Sequence, residues 1–167
     1  KVGFVHLRVH SAYSLLEGAL PLKKLIKLAV ADAQPALALT DTGNLFGALE
    51  FSEKMVETGI QPIIGCQLAV GFDDGFDPSR RSGPAPRPLS DLVLLAASEA
   101  GYWNLVRLVS RAFMESEPTE RPNIPFSAFE EGHEGLIVLT GGGNGPVDQA
   151  VRAGLTCAVL VPSGKIA

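Results

Sequence analysis

The stretch PALALTDTGNLFGALEF, residues 35–51, decides the fold class. It opens with a short apolar run that ends in Asp41 and reads as a strand. The period then changes. In NLFGALEFSEKMVETG (44–59), Leu45, Ala48, Leu49 and Val56 fall on one side of a helix, and Gly59 is placed to stop it. A strand, a polar turn and a helix in immediate succession form the unit from which α/β domains are built.

The same alternation extends in both directions. Upstream, PLKKLIKLAVADA (21–33) places Leu22, Leu25, Ile26, Ala29, Val30 and Ala33 on one helical face, with Pro21 suited to the first turn. Before it, FVHLRVH (4–10) has period two: Phe4, His6, Arg8 and His10 share one face of a strand. Downstream, QPIIGCQLAV (61–70) and DLVLLAA (91–97) read as strands separated by a loop. EAGYWNLVRLVSRAFM (99–114) reads as a helix that buries Tyr102, Leu105, Val106, Val109 and Phe113. Residues 115–126 are polar and broken by proline. EGLIVLTGGG (134–143) is a fifth strand running into a glycine turn, with a short helix from Pro146. Strands alternating with helices predict mainly parallel pairing through right-handed crossovers.

Composition sets limits. At 167 residues, 46% of them hydrophobic and 19% charged, the chain is long enough for one domain with its own core. No apolar run reaches membrane-spanning length, and the first residues lack a secretory signal pattern. Two cysteines without a CxxC neighbour predict free thiols and a cytoplasmic setting. The formal net charge of −4 argues against strong direct nucleic-acid binding. The one compact basic cluster, PSRRSGPAPRP (78–88), follows acidic DDGFD and reads as a solvated loop.

In parallel α/β folds, sites collect at the carboxyl ends of strands. Polar residues stand at several such positions: His10-Ser11, Thr40-Asp41-Thr42, Gln67, Asp91 and the TGGGNG turn (140–145). The turn lacks the Lys-Ser/Thr of a phosphate loop and the spacing of a dinucleotide fingerprint, so it reads as a tight turn. His6 reads as a hydrogen-bonded residue and His133, in EEGHEG, as surface.

Five blocks in order carry a resemblance: FVHLRVHSAYSLLEGAL, PALALTDTGNLFGALEF, GIQPIIGCQLAV, DLVLLAASEAGYWNLVRLVS and EGLIVLTGG. Together they resemble the PHP (polymerase and histidinol phosphatase) domain in the form found in alpha subunits of bacterial replicative polymerases. The resemblance runs from Phe4 to Val147, which divides the chain into a partial PHP domain (1–147) and a C-terminal stretch (148–167) ending in LTCAVLVPSGKIA that does not resemble the family. It implies a partial, distorted (β/α)7 barrel with a metal cluster at the strand carboxyl ends.

Metal-binding members carry HLHVHS in the first strand, and the two ligands there map to Arg8 and His10. A carboxylate ligand maps to Glu17. The ligand imidazole of a TDH motif maps to Thr42, beside Asp41; a glutamate maps to Gln67, a histidine to Asp91 and a cysteine to Gly142. A guanidinium has no lone pair to give and an amide carries no charge. The resemblance therefore implies a vestigial metal pocket of Arg8, His10, Glu17, Asp41, Thr42, Gln67, Asp91 and Gly142, with no cofactor, no metal and no catalytic residue. Arg8 is expected to replace the missing cation by pairing with Glu17, Asp41 or Asp91. The implied role is a docking scaffold whose partners are the proofreading exonuclease subunit, epsilon, and the rest of the polymerase subunit. Two alternatives stand beside it: a metal-dependent phosphoesterase or 3′–5′ exonuclease using His10, Glu17, Asp41 and Asp91, and a nucleotide-binding module using TGGGNG.

Overall fold

The computed structural model describes residues 3–72 and 89–152; the basic cluster at 78–88 and the segment 155–167 with Cys157 lie outside them. The elements in chain order are α1 (Leu22–Ala31), β1 (Ala36–Leu39), α2 (Ala48–Glu57), β2 (Gln61–Gly71), β3 (Ser90–Ala96), α3 (Glu99–Glu115), β4 (Asn123–Pro125), α4 (Phe126–Gly132), β5 (Leu136–Leu139), a 3-10 turn (Gly142–Asn144) and α5 (Pro146–Arg152). No helix among the described residues is long and apolar enough to cross a membrane.

The described strands form one open sheet in the order β1-β2-β3-β5, with β4 beside β2. Its pairing corrects the expectation of mainly parallel strands. β1 and β4 pair with β2 in parallel, whereas β2–β3 and β3–β5 are antiparallel. The physical reason lies in the connection. No helical pattern separates β2 from β3, and a parallel partner requires a crossover of a dozen or more residues, usually helical. So β3 returns against β2, and its amino end lies among the carboxyl ends of its neighbours. A closed barrel is not formed by these strands.

The first expected strand is also different. Residues 4–10 run beside β1 with a bend at Leu7 and pair with it through one parallel bridge, His6 with Leu37. Beyond it, the Val9 amide donates to Thr40 Oγ1 (3.0 Å) rather than to a backbone carbonyl, while the Thr40 amide donates to Val9 O (2.8 Å). A side-chain hydroxyl thus takes the place of a ladder acceptor.

Side chains alternate across a strand, so the register assigns faces. Leu37 and Leu39 of β1 pack on Leu22, Leu25, Ile26 and Ala29 of α1 and on Phe51 and Met55 of α2. On the same face, Cys66, Leu68 and Val70 of β2 and Leu92 and Leu94 of β3 meet Leu105, Leu108 and Ala112 of α3 and Ala128 and Phe129 of α4. The opposite face holds a smaller apolar set, Ala38, Val93 and Leu95, and above it the polar residues Gln67 and Asp91.

Several helical faces are rotated from their expected positions. Leu49 and Val56 of α2, Val30 of α1 and Phe113 of α3 are exposed; Ala33 lies past the end of α1. Tyr102, Val106 and Val109 are only half-buried, while Gly101, Asn104, Leu108 and Ala112 face the sheet. In α2 the buried side is Ala48-Phe51-Met55, an i, i+3, i+7 set that alternative spacing had masked. The segment 115–126, expected to be irregular, ends in β4, and α4 follows it directly.

Cys66 is fully buried, and burial pushes its thiol up to about 12 from an ordinary value of 9.0. The neutral thiol is the form the fold accommodates. Its contribution to stability is therefore intact below pH 9 and is lost as pH rises toward 12. Iodoacetamide at pH 8 is expected to leave the Cys66 peptide unmodified in the native domain and to alkylate it in urea, read by peptide mass.

Candidate functional site

Asp41 follows β1 and is almost fully buried. Its Oδ1 accepts from the Ser11 amide (2.7 Å) and the Ser14 hydroxyl (2.6 Å), and its Oδ2 from the Ser11 hydroxyl (2.7 Å). Three donors from one loop converge on one carboxylate. The same loop closes on itself through Ala12 N to Leu20 O (3.0 Å) and Gly18 N to Ser14 O (2.9 Å). Asp41 therefore holds residues 11–20 over the carboxyl end of β1 and has little capacity left to accept from anything else. Ser11 stood among the polar residues expected at strand ends, whereas Ser14 carried no signal beyond its hydroxyl in SAYS.

His10, Glu17 and Thr42 come together at the mouth. Thr42 Oγ1 donates to Glu17 Oε2, and His10 Nδ1 lies 3.8 Å from the same carboxylate oxygen. The Ser14 hydroxyl is 3.4 Å and the Thr42 hydroxyl 3.5 Å from His10 Nδ1. A hydroxyl at position 42 thus fills the space between imidazole and carboxylate.

A second chain of contacts crosses the sheet. Arg8 Nε donates to Gln67 Oε1 (3.0 Å) and Arg8 Nη1 to Gly141 O (3.0 Å). Gln67 Nε2 donates to Asp91 Oδ2 (3.3 Å). Asp91 is buried, and its Oδ1 lies 2.8 Å from Arg121 Nη2, an off-axis ion pair that leaves this oxygen without an aligned hydrogen bond. The expectation for Arg8 is corrected here. Among the described residues the guanidinium forms no direct pair with Glu17, Asp41 or Asp91. Gln67 stands between Arg8 and Asp91, Asp41 is occupied by its serine donors, and Glu17 is turned to Thr42. The carboxylate's cation is Arg121, from the polar segment before β4, where no sequence pattern marked it.

Gly142 joins this cluster from the turn after β5. A Cβ there would lie 3.2 Å from Arg8 Nη1, so the guanidinium occupies the space a side chain at 142 would enter. The backbone of Gly141 and Gly142 is left-handed, with φ 73° and 63°, which aims the Gly141 carbonyl at Arg8. Arg8→Lys is expected to cost about 1 kcal/mol in urea unfolding, because one ammonium cannot reproduce the fork that reaches Gln67 and Gly141 together.

His6 lies apart from the cluster. It is exposed, stacks edge-on with Phe4 (centroids 4.8 Å apart), and borders a cleft of about 400 Å³ with Val9, Leu25, Asp32 and Gln34. Its backbone carbonyl accepts from the Ala38 amide (2.9 Å), but its imidazole forms none of the hydrogen bonds expected of it among the described residues. His133 is exposed, as expected.

The profile of the PHP domain matches residues 6–160. The chain belongs to the PHP domain family. Among curated relatives, the DNA polymerase III alpha subunit of Caulobacter vibrioides is 48% identical over 155 residues, which cover 92% of this chain and 13% of that protein. The corresponding subunit of Thermus aquaticus is 43% identical over 143 residues, covering 84% of this chain and 12% of that one. The chain thus spans about an eighth of these relatives. Among solved structures, an amidohydrolase from Chromobacterium violaceum aligns with 25% identity and a TM-score of 0.47, covering 65% of this chain and 32% of that one.

PHP domains imply a metal cluster, and the donors among the described residues do not fit one. No three His, Cys, Asp or Glu side chains converge among the described residues. Transition metals need several imidazole, thiolate or carboxylate donors on one point. Here Arg8 bridges Gln67 and Gly141, and Asp91 is committed to Gln67 and Arg121.

Proposed function

We propose that this PHP domain is a catalytically silent scaffold within a DNA polymerase III alpha-like subunit and that it docks the proofreading 3′–5′ exonuclease subunit. The observation that carries the reading is the guanidinium of Arg8 bonded to Gln67 and Gly141 where the family's ligands would converge. A fixed cation there repels metal ions and supplies no lone pair. The sequence similarity to polymerase alpha subunits supports the parent protein. The domain has a serine-clamped loop and a helix-covered sheet, the parts that shape a surface. The net charge of −4 suits a protein partner better than DNA.

Two measurements on the purified chain test this. Metal analysis after dialysis against zinc or manganese is expected to find no stoichiometric metal, and p-nitrophenyl phosphate is expected to stay uncleaved. Immobilised chain is expected to retain a proofreading exonuclease subunit. Retained metal with phosphoester cleavage that disappears in His10→Ala would instead identify a phosphoesterase, and absence of exonuclease capture would remove the docking role.

A further inference from the structure

Two segments beside the pocket turn large apolar side chains to solvent. From the clamped loop come Tyr13, Leu15 and Leu16; from the start of α2 come Phe46 and Leu49, both more than 70% exposed. Tyr13 and Phe46 join the two segments. The Tyr13 and Phe46 rings meet edge-on with centroids 6.5 Å apart, and Asn44 Nδ2 donates to Tyr13 O (3.2 Å). Monomeric surfaces rarely expose apolar groups contiguously unless something binds there.

Leu16 is fully exposed and sits at φ 68°, in the left-handed region. The loop keeps a leucine where glycine would be unstrained, and it aims that leucine outward. Asp41 fixes the presentation, since both serines that flank Tyr13 are bonded to its carboxylate.

Charge narrows the occupant. Segments 11–20 and 44–53 carry Glu17, Glu50 and Glu53 and no Lys or Arg. Glu50 is paired with Lys54 one turn on, and Glu17 keeps its negative charge while accepting from Thr42, so Glu17 and Glu53 give this face a net negative charge. An apolar surface with a net negative rim fits an apolar segment rimmed by cations.

We propose that the surface formed by Tyr13, Leu15, Leu16, Phe46 and Leu49 docks a protein segment bearing leucine-like anchors flanked by Lys or Arg. The inference rests on the reading of the domain as a docking module and adds to it the face and the chemistry of the partner. Anchors spaced along one helical face or one extended edge would enter between the loop tip and α2.

The test is calorimetric titration of the chain with a synthetic peptide carrying leucines at i, i+3 and i+7 and lysines beside them. Binding is expected, with a loss of about tenfold or more in Phe46→Ser/Leu49→Ser and in Leu16→Gly. Leu16→Gly is expected to keep or raise the melting temperature by relieving left-handed strain, so its lost affinity would report the surface and not the fold. Met114→Ser, an exposed residue on α3, is expected to bind as the unmodified chain does. Equal binding of a scrambled peptide of the same composition, or affinity unchanged in the Leu16 and Phe46/Leu49 variants, would overturn the proposal. So would self-association of the chain that the same substitutions abolish, which would make a second copy the occupant. If these variants capture the exonuclease subunit as well as the unmodified chain does, the surface fails and the docking role stands; if the unmodified chain captures none, the role fails and the peptide result still judges the surface.

Discussion

Asp41→Ala is expected to destabilise the domain by about 3–5 kcal/mol, a large share of the ~5–15 kcal/mol that holds a typical domain together. The carboxylate is almost fully buried and accepts from the Ser11 amide, the Ser11 hydroxyl and the Ser14 hydroxyl. Removing it leaves three donors that cannot all find water. Asp41→Asn is expected to cost less, about 1–2 kcal/mol, because an amide oxygen still accepts and the serine hydroxyls can rotate to accept from its amino group. Urea unfolding measures both. Equal costs for the two substitutions, or a cost under about 1 kcal/mol for alanine, would mean that the serine clamp does not organise the loop.

Gly141→Ala carries the second large effect, about 2–5 kcal/mol, from left-handed backbone and overpacking together. At φ 73° a side chain is strained whatever the space, and a Cβ there would lie 1.9 Å from the carbonyl oxygen of Asp91. The turn must then move, and the carbonyl that holds Arg8 Nη1 moves with it. Gly143→Ala is the matched control. Its nearest neighbour is the flexible end of Arg152 at 3.3 Å, and a cost under about 1 kcal/mol is expected. Urea midpoints of the two variants at equal slope provide the comparison.

Much of the architecture could be read from residue periodicity. β1, β2 and β3 stand within a residue or two of the runs PALALT, QPIIGCQLAV and DLVLLAA, and β5 lies inside EGLIVLTGGG ahead of its glycine turn. A run of apolar residues that short has few alternatives once turn residues bound it. Strand direction was harder. The alternation predicted mainly parallel pairing, and the stretch between β2 and β3, which carries no helical pattern, is where it fails. Helical faces were harder still. In α2 both Leu49/Val56 and Phe51/Met55 have helical spacing, and only packing against β1 and α1 selects the second pair. In β4, three residues carry too little pattern to register at all.

For the site, sequence by itself determined which functional groups are present: a guanidinium at 8, hydroxyl at 42, amide at 67, carboxylate at 91 and no side chain at 142. Those identities decide how many donors a metal could find, because donor chemistry is a property of the residue and not of its neighbours. Only the tertiary structure decided who pairs with whom. Arg8 bonds Gln67 and the Gly141 carbonyl in place of a carboxylate, Asp41 serves the loop and not the pocket, and Arg121 reaches Asp91 from 30 positions away. Each buried polar atom must find a partner among whatever the fold places within about 3 Å, and that distance is set by strand register and turn geometry, not by spacing along the chain.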